Sequence, residues 1–539
     1  MSKIIRFDNG VKSLSALAEK RREEGDLIGA VSAYRSALAK SPFDYGANAG
    51  LAELYGDVDL GIEAINCWFR ALSRAEDDFE RARAYNGLGA NYYILGKDSL
   101  AMNYFGKQLE TDNESDFEYN DVLDNMREEF FEEAPEQYSV VYDKKKKGRE
   151  ALEKARNLLD TGRPDEALKK LSEVSPEDDA FSEALEIIAF ILLLRGEYQV
   201  AYETASRAVS LRDGGLLGNC ALCSALFHLE RKEESLEAFK KIVSTGMATE
   251  TQDFLQVSMV AIEIGQEEAA LDFINRILED TPYNLNVLYV RGLIKYNLGD
   301  EEGCREDMKT VLTFTENAVA RQRLLETRLE KDKRPERFAY EFDLTESEVK
   351  FRLDELNKKF LSLKGGHITF ADIREHCECI VKCRFPDLFT VGMHMGLAVD
   401  AAGMQEYLKE VLLDVTVDDE IKRAVVKEYL SLGLKMPIKL VTGHYYKEFT
   451  IEPMELTGYA AELFIEVYNA LAASLYTVGA SKKVGLLRRR IKKYREIFAD
   501  NGGLDSASPE PIAAAVLYKM KIDLLSSEQV AQAMFGVSE

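Results

Sequence analysis

Small residues recur along this chain at an interval of about 34 residues, and this interval constrains the fold more than any other feature. They are Ala30, Ala64, Ala101, Ala167, Ala201, Ser235, Ala270 and Cys304. An aromatic or aliphatic residue usually follows four positions later, as in Tyr34, Trp68 and Phe105. A small residue lets two antiparallel helices approach closely, and the bulky residue fills the space between one helix pair and the next. The interval therefore predicts a helical solenoid.

Two repeats carry a longer signature. The first has it at Leu14, Leu17, Ala18, Gly25, Ala30, Tyr34, Ala37 and Pro42, and the third at Tyr85, Leu88, Gly89, Tyr92, Gly96, Ala101 and Phe105. This signature resembles that of the tetratricopeptide repeat (TPR) family, and the resemblance covers roughly residues 11–313. Repeats four to eight depart from it, since Ala205 stands where a large residue is usual, but they keep the interval.

The predicted fold class is all-α: a TPR-type α-solenoid followed by a mostly helical C-terminal domain with a small β-hairpin. The predicted domains are a first TPR array (1–111), an acidic and then basic connector (112–147), a second array with a capping helix over Ala318–Lys331 (148–334), and the C-terminal domain (335–539). The connector is interpreted either as a solvated linker helix or as an acidic-aromatic arm that docks on a basic surface. Thr345 and Glu348 predict a capping box that opens the next helix.

The C-terminal domain shows amphipathic helices and one strand pattern. Helices are predicted over Met404–Leu413, Asp418–Leu432, Leu456–Tyr476 and Lys482–Phe498. Alternating apolar residues over Pro437–Ile451 flank a turn-like Thr442-Gly443-His444 and predict a β-hairpin. We expect His444 to be an exposed turn residue rather than a general base.

The TPR resemblance places the functional surface in a groove lined by the first helix of each pair. In the first array the groove places include Ser15, Glu19, Glu53, Asn86 and Ala90, none of which is basic. TPR cochaperones that grip the acidic tail of a chaperone use Lys, Asn and Arg at such places. A chaperone-tail clamp is therefore not expected here.

In the second array the same frame gives an apolar groove. Its predicted lining residues are Phe190, Leu193, Phe227, Leu255, Met259, Tyr289, Leu293 and Tyr296. Because water disfavours an exposed apolar stripe, something should cover it. The candidates are a partner peptide or another part of this chain. In the alternative interpretation the stripe is repeat core, or Phe338, Tyr340 and Phe342 cover it.

A basic stretch stands out near the C-terminal end. Its central residues are Arg488, Arg489, Arg490, Lys492 and Lys493. They can contact phosphates, pair with the acidic arm near residues 128–133, or form a solvated helix face. The run Ser527–Ser538 is similar to the first helix and turn of a helix-turn-helix, as at the end of a cyclin-type repeat in the transcription factor B family.

One cluster has metal-ligating residue types. On a helix, His376, Cys379 and Cys383 would share a face and could present one imidazole and two thiolates to zinc, although the spacing is not a known zinc-finger signature. The alternative is that these cysteines are small packing residues, as is also expected for Cys220 and Cys223. No cofactor is predicted.

Composition limits the function classes. The 539 residues carry a net charge of -25, which disfavours long-range attraction to nucleic acid and anionic membranes and favours basic or apolar protein partners. The seven cysteines do not form a secretory framework, Met1–Gly10 lacks a signal-peptide core, and no apolar run reaches membrane-spanning length, so we expect a cytoplasmic protein. No phosphate loop, zinc-protease motif or nucleophile elbow is present.

These features predict a non-enzymatic scaffold or adaptor that binds peptide segments of a protein partner in its TPR grooves. The alternative is a regulatory protein whose TPR part senses a ligand or partner and whose C-terminal domain contacts nucleic acid. The sequence leaves self-association open.

Overall fold

The fold was taken from a computed structural model, which describes residues 10–112, isolated positions between 115 and 123, and residues 144–160, 163–212, 215–342, 344–361, 374, 385–458 and 460–500. The chain divides into two compact units. The first spans Met1–Arg127, Thr313–Val319 and Glu341–Glu539, and the second spans Glu128–Leu312 and Ala320–Tyr340.

The first array consists of antiparallel helix pairs. Its helices are α1 (Val11–Glu23), α2 (Leu27–Leu38), α3 (Tyr45–Asp57), α4 (Gly61–Leu72), α5 (Asp78–Ile94) and α6 (Asp98–Thr111). The turn at Gly25 has a positive φ of 78°, which an L side chain rarely adopts, and Asp26 then caps α2 by accepting a hydrogen bond from the Gly29 N–H at 2.9 Å. The small repeat residues Ala30 and Ala64 are fully buried, as the interval predicts.

The second array repeats the same arrangement. Its helices are α7 (Lys144–Asp160), α8 (Pro164–Leu171), α9 (Phe181–Leu194), α10 (Tyr198–Arg212), α11 (Leu216–His228), α12 (Lys232–Thr245), α13 (Thr251–Glu263), α14 (Glu267–Asp280), α15 (Leu285–Asn297), α16 (Glu301–Phe314) and α17 (Ala318–Glu326). Ala167, Ala201, Ser235, Ala270 and Cys304 are all buried where helices pack. The predicted all-α, TPR-type repeat is thus confirmed. The capping helix is shorter than predicted, since α17 ends at Glu326 instead of Lys331.

The remaining elements belong to the first unit. They are α18 (Glu346–Leu361), α19 (Pro386–Val399), α20 (Ala401–Leu413), α21 (Asp419–Ser431), β1 (Met436–Thr442), β2 (Tyr445–Ile451), α22 (Ala461–Thr477) and α23 (Val484–Asp500). The predicted capping box opens α18, because the Thr345 hydroxyl accepts from the Glu348 N–H at 3.3 Å and the Glu348 carboxylate accepts from the Thr345 N–H at 2.8 Å. The helix predicted from Leu456 begins only at Ala461, since Gly458 and Ala460 have positive φ angles of 85° and 44° that an α-helix cannot contain.

The predicted β-hairpin is confirmed, with β1 and β2 paired antiparallel from Met436 opposite Ile451 to Thr442 opposite Tyr445. Its tip packs on the third helix pair of the same unit. The Tyr104 hydroxyl donates to the His444 carbonyl at 2.6 Å and accepts from the Tyr446 N–H at 3.2 Å. The prediction of an exposed His444 is therefore wrong: its imidazole is half-buried, with Nδ1 3.2 Å from the Tyr92 hydroxyl and the two rings edge to face.

The packed tip gives a testable pH dependence. Burial, and then the positive charges of Lys97 and Lys422, hold the pKa of His444 below its ordinary value of 6.5, against a smaller opposing effect of Asp419. The unfolded chain therefore takes up this proton at a higher pH than the folded chain. The stability that neutral His444 contributes is complete above about pH 6.5 and is lost as the pH falls toward the folded pKa.

We expect the His444→Asn variant to be about 1 kcal/mol less stable than wild type at neutral pH, because it loses the contact with Tyr92. Asn tolerates the left-handed backbone of this position, where φ is 66°. The deficit should shrink at about pH 5.5, where only the wild type loses stability by this route. Urea unfolding at both pH values measures it, and a deficit that is the same at both would contradict the assignment.

Asn86, one of the predicted groove residues of the first array, has partners from this chain. The Asn86 side chain accepts from the Tyr119 N–H at 3.0 Å and donates to the Gln108 side chain at 2.9 Å, and Phe117 is buried against Phe79. The start of the connector thus folds back onto the third repeat. Most of the connector, including the acidic run at 128–133, lies outside the described residues.

Candidate functional site

The first helices of the second array form a continuous inner layer, since α9 packs on α11 and α11 packs on α13. Each of them ends with a residue that stands seven positions before the small repeat residue. These residues are Asp160, Leu194, His228, Glu263 and Asn297. The His228 Nε2 and the Glu263 carboxylate of adjacent repeats are 2.7 Å apart, which shows that equivalent positions of neighbouring repeats meet.

Part of the predicted groove is open. Phe190, Leu255 and Met259 have exposed fractions of 39%, 37% and 62%. Leu193 and Phe227 are partly buried beside them. Leu194, which was not among the predicted groove residues, is 69% exposed at the end of α9 and equivalent to Asn297. The repeat frame was the signal that could have identified it.

The other part of the predicted groove is filled, which corrects the prediction for three residues. Tyr289, Leu293 and Tyr296 have exposed fractions of only 2%, 0% and 7%. Phe338 covers Tyr296, because their rings stack at 3.9 Å between centroids. The Arg323 guanidinium lies over the same Phe338 ring at 5.4 Å. Phe338, one of the three residues predicted as an alternative cover for the stripe, is therefore the one that stacks on Tyr296.

Asn297 holds the backbone of Phe338 on both sides. Its Oδ1 accepts from the Phe338 N–H at 2.7 Å, and its Nδ2 donates to the Phe338 carbonyl at 3.1 Å. These two bonds satisfy both peptide groups without involving the side chain of the bound residue. Asn297 was not among the predicted groove residues, since an amide is not part of an apolar pattern.

Glu267, the first residue of α14, binds the rest of this segment. Its carboxylate accepts from the Tyr340 hydroxyl at 2.6 Å and from the Asn297 amide at 3.1 Å, and it forms an ion pair with Arg337. Burial, and then the hydrogen bond to Glu267, raise the pKa of Tyr340. A carboxylate at the N-terminal end of a helix is also favoured by the helix dipole.

The middle of the inner layer carries a polar pair. The Glu263 carboxylate accepts from the Ser224 hydroxyl and contacts His228, and the Tyr198 ring stacks on His228 at 4.3 Å. These contacts link three consecutive repeats, so the layer offers a preformed surface on either side of the pair.

The residues of the basic stretch differ in their contacts within the first unit. Arg488 is turned inward, since it pairs with Glu452 at 3.1 Å, donates to the Tyr468 hydroxyl at 3.2 Å and lies over the Tyr468 ring. This corrects its prediction as a phosphate or acidic-arm contact, because its hydrogen bonds are directed into the domain. Arg489, Lys492 and Lys493 are exposed, and Arg490 is partly buried.

The predicted metal cluster His376, Cys379 and Cys383 lies outside the described residues, as does the helix-turn-helix-like run at 527–538. In the described part of the chain, no group of three or more metal-ligating side chains comes together. Burial raises the pKa of Cys220 to about 12 and that of Cys223 to about 11, and the Cys223 thiol donates to the Ser235 carbonyl at 3.2 Å. Both thiols therefore stay protonated as packing residues.

Comparison with solved structures returns other helical-repeat proteins. Yeast Tom70 is 12% identical, with 95% of this chain and 99% of that chain covered and a TM-score of 0.31. A tetratricopeptide repeat protein from Parabacteroides merdae is 14% identical over 59% of this chain and 99% of its own, with a TM-score of 0.23. The TPR domain of P58(IPK) is 15% identical over 59% and 97%, also with a TM-score of 0.23. No protein-family model and no curated protein matches the chain. Of the helices described, none is both long and apolar enough to cross a membrane.

Proposed function

Since the chain is built of TPR-type helical repeats, we propose that it is a non-enzymatic, cytoplasmic scaffold that binds extended segments of a partner protein in the inner groove of its second array. One observation carries this proposal. A segment without helix or strand, Arg334–Tyr340, already lies at one end of the groove with its backbone held by Asn297. The same surface is therefore able to bind an extended peptide.

The open end of the groove supports the proposal. Phe190, Leu194 and Met259 form an exposed apolar series at repeat-equivalent or adjacent positions. Exposed apolar surface of this kind marks an interaction site when its side chains follow the repeat. A partner segment that inserts apolar side chains between repeats would remove this surface from water.

The charges around the filled end favour a basic segment. Glu267 pairs with Arg337, and Glu301 pairs with Arg334 at 2.6 Å. The net charge of -25 adds a long-range attraction for basic partners. The expected ligand is therefore an extended peptide with aromatic or aliphatic anchors and basic residues next to them.

The proposal predicts a peptide preference that the open groove determines. Full-length protein is used to select from a displayed library of random peptides, and we expect enrichment of sequences with aromatic or aliphatic residues, because the open groove is apolar, and of Arg or Lys, because the net charge of -25 attracts basic peptides. The Phe190→Asp/Met259→Asp variant should reduce the affinity of the selected peptides at least about tenfold, because two charges replace apolar contacts worth more than about 1.4 kcal/mol in total.

A matched control is Val243→Asp, which places one charge on an exposed apolar position of α12. This helix belongs to the same unit, but it is the second helix of its repeat pair and not one of the first helices that line the groove. We expect it to leave peptide affinity unchanged. No enrichment by the wild type, or equal affinity of all three proteins for the selected peptides, would contradict the proposed function.

A further inference from the structure

We infer that Arg334–Tyr340 is a built-in competitor for the filled end of the groove, and that a partner segment of similar chemistry takes its place there. This rests on the proposed function and adds the identity of the ligand. The geometry points to a segment in which a basic residue precedes an aromatic residue and a tyrosine follows two positions later, as in Arg337-Phe338-Ala339-Tyr340.

One side chain is the buried anchor of the segment, as in a short peptide ligand. Phe338 is buried between Tyr296 and Arg323, whereas its neighbours Arg337 and Ala339 are exposed. No helix or strand includes residues 334–340, so few regular backbone bonds hold the segment in place. Loss of the Phe338 ring would therefore weaken the attachment of the segment more than loss of any other of its side chains.

The remaining contacts divide into general and selective ones. The two bonds from Asn297 and the bond from the Tyr296 hydroxyl to the Pro335 carbonyl at 2.7 Å contact only backbone, so any extended segment can make them. Selection comes from Glu267, which binds a guanidinium and a phenol at once. An acidic or purely aliphatic segment would leave this carboxylate without these donors.

Tethering explains how the segment can regulate binding. A short linker keeps an attached segment at an effective concentration on the order of millimolar. A free peptide with the same intrinsic Kd must compete with it, so its apparent Kd in wild type is about the intrinsic Kd plus this effective concentration. The wild type should therefore bind such a peptide no tighter than about millimolar, whatever the intrinsic affinity.

The test uses the full-length chain and a fluorescein-labelled synthetic peptide of residues 332–342, with binding measured by fluorescence anisotropy. The Phe338→Ala variant releases the tethered segment, and we expect it to bind the peptide at least tenfold more tightly than wild type. Adding Asn297→Ala should remove that gain, because the backbone bonds that hold the peptide are lost.

A second variant covers the case in which Phe338→Ala destabilises the unit. Arg337→Ala/Tyr340→Phe removes both contacts with Glu267 while it leaves the buried ring, and we expect it also to bind more tightly than wild type. The inference is overturned if neither variant gains affinity while urea unfolding shows both are folded. It is also overturned if the gain survives Asn297→Ala. Library peptides that still depend on Phe190 and Met259 would then show that the proposed function stands without the competitor.

Discussion

We expect the Gly87→Ala variant to have a free energy of unfolding lower than that of wild type by about 3 kcal/mol. A Cβ at position 87 would lie 2.2 Å from Cε2 and 2.4 Å from Nε1 of Trp68. Trp68 is fully buried in α4, and Gly87 lies in α5, the helix that packs on it. The indole cannot move away without leaving the core, so the added methyl group strains the packing of the two helices.

The direction of this effect separates packing from helix propensity. Ala favours a helix over Gly by about 1 kcal/mol, so propensity alone predicts that Gly87→Ala stabilises the chain. Gly106, inside α6, is the matched control, because a Cβ there would meet no atom within 4 Å. We expect Gly106→Ala to raise the free energy of unfolding by about 0.5–1 kcal/mol.

Urea unfolding of the two variants and the wild type, with the slope compared as well as the midpoint, measures both effects. Trp68→Phe should restore part of the stability lost by Gly87→Ala, since the smaller ring leaves room for the methyl group, but should destabilise the wild type. If Gly87→Ala and Gly106→Ala change stability in the same direction, the close approach of α5 to Trp68 is not the reason for the glycine.

The repeat was predictable because its signal is local. Small residues such as Ala64 and the aromatic four positions later, Trp68, lie on one helix face, so the sequence interval directly reports helix packing. The β-hairpin was predictable for the same reason, since alternating residues surround Gly443 at a two-residue turn.

Burial of particular groove residues was not predictable, because it depends on contacts distant in sequence. The repeat frame placed Tyr296 on the inner layer, and cover by Phe338, which the structure has, could be given only as one of several alternatives. His444 was expected in solvent for its turn chemistry, whereas Tyr92 and Tyr104 of the third repeat hold it. Such docking requires knowledge of which surfaces meet, and periodicity carries no information about that.

The repeat alignment also marks the position of Asn297, although this residue is not apolar. The apolar stripe directed attention to aromatic residues, while the polar residue at the same repeat place as His228 and Glu263 binds the segment's backbone. A comparison of the residues at each equivalent position of the repeats, polar as well as apolar, would have identified Asn297. Its ligand would still have remained unknown from the sequence.

The helix that carries Asn297 is itself held by a buried charge cluster. Arg291 and Lys295 of α15 both bind Asp307 of α16: two guanidinium nitrogens lie 3.0 Å and 2.7 Å from its carboxylate oxygens, and the Lys295 ammonium lies at 2.9 Å. The Asp307 side chain is 5% exposed, and those of Arg291 and Lys295 are 22% and 19% exposed. One carboxylate thus pairs with two cations that are largely withdrawn from water.

We expect Asp307→Ala to lower the free energy of unfolding by about 3 kcal/mol, because it leaves two like charges without a counter-ion in a site of low solvent access. Asp307→Asn keeps the shape and some hydrogen bonds but not the charge. Its free energy of unfolding should therefore lie between those of wild type and Asp307→Ala. Urea unfolding at low and at high salt measures the loss, which should change little with salt since the cluster is shielded from solvent ions.

The matched control is Glu302→Ala in the same helix. Glu302 pairs with Arg305 at 3.4 Å, but its side chain is 67% exposed, so we expect a change within about 0.5 kcal/mol. Equal losses from Asp307→Ala and Glu302→Ala would show that burial does not strengthen the cluster. A large loss at Asp307 alone would mean that the charge cluster between α15 and α16 fixes the position of α15. Weaker binding of the 334–340 segment in the same variant would mean that Asn297 depends on that position to hold the segment.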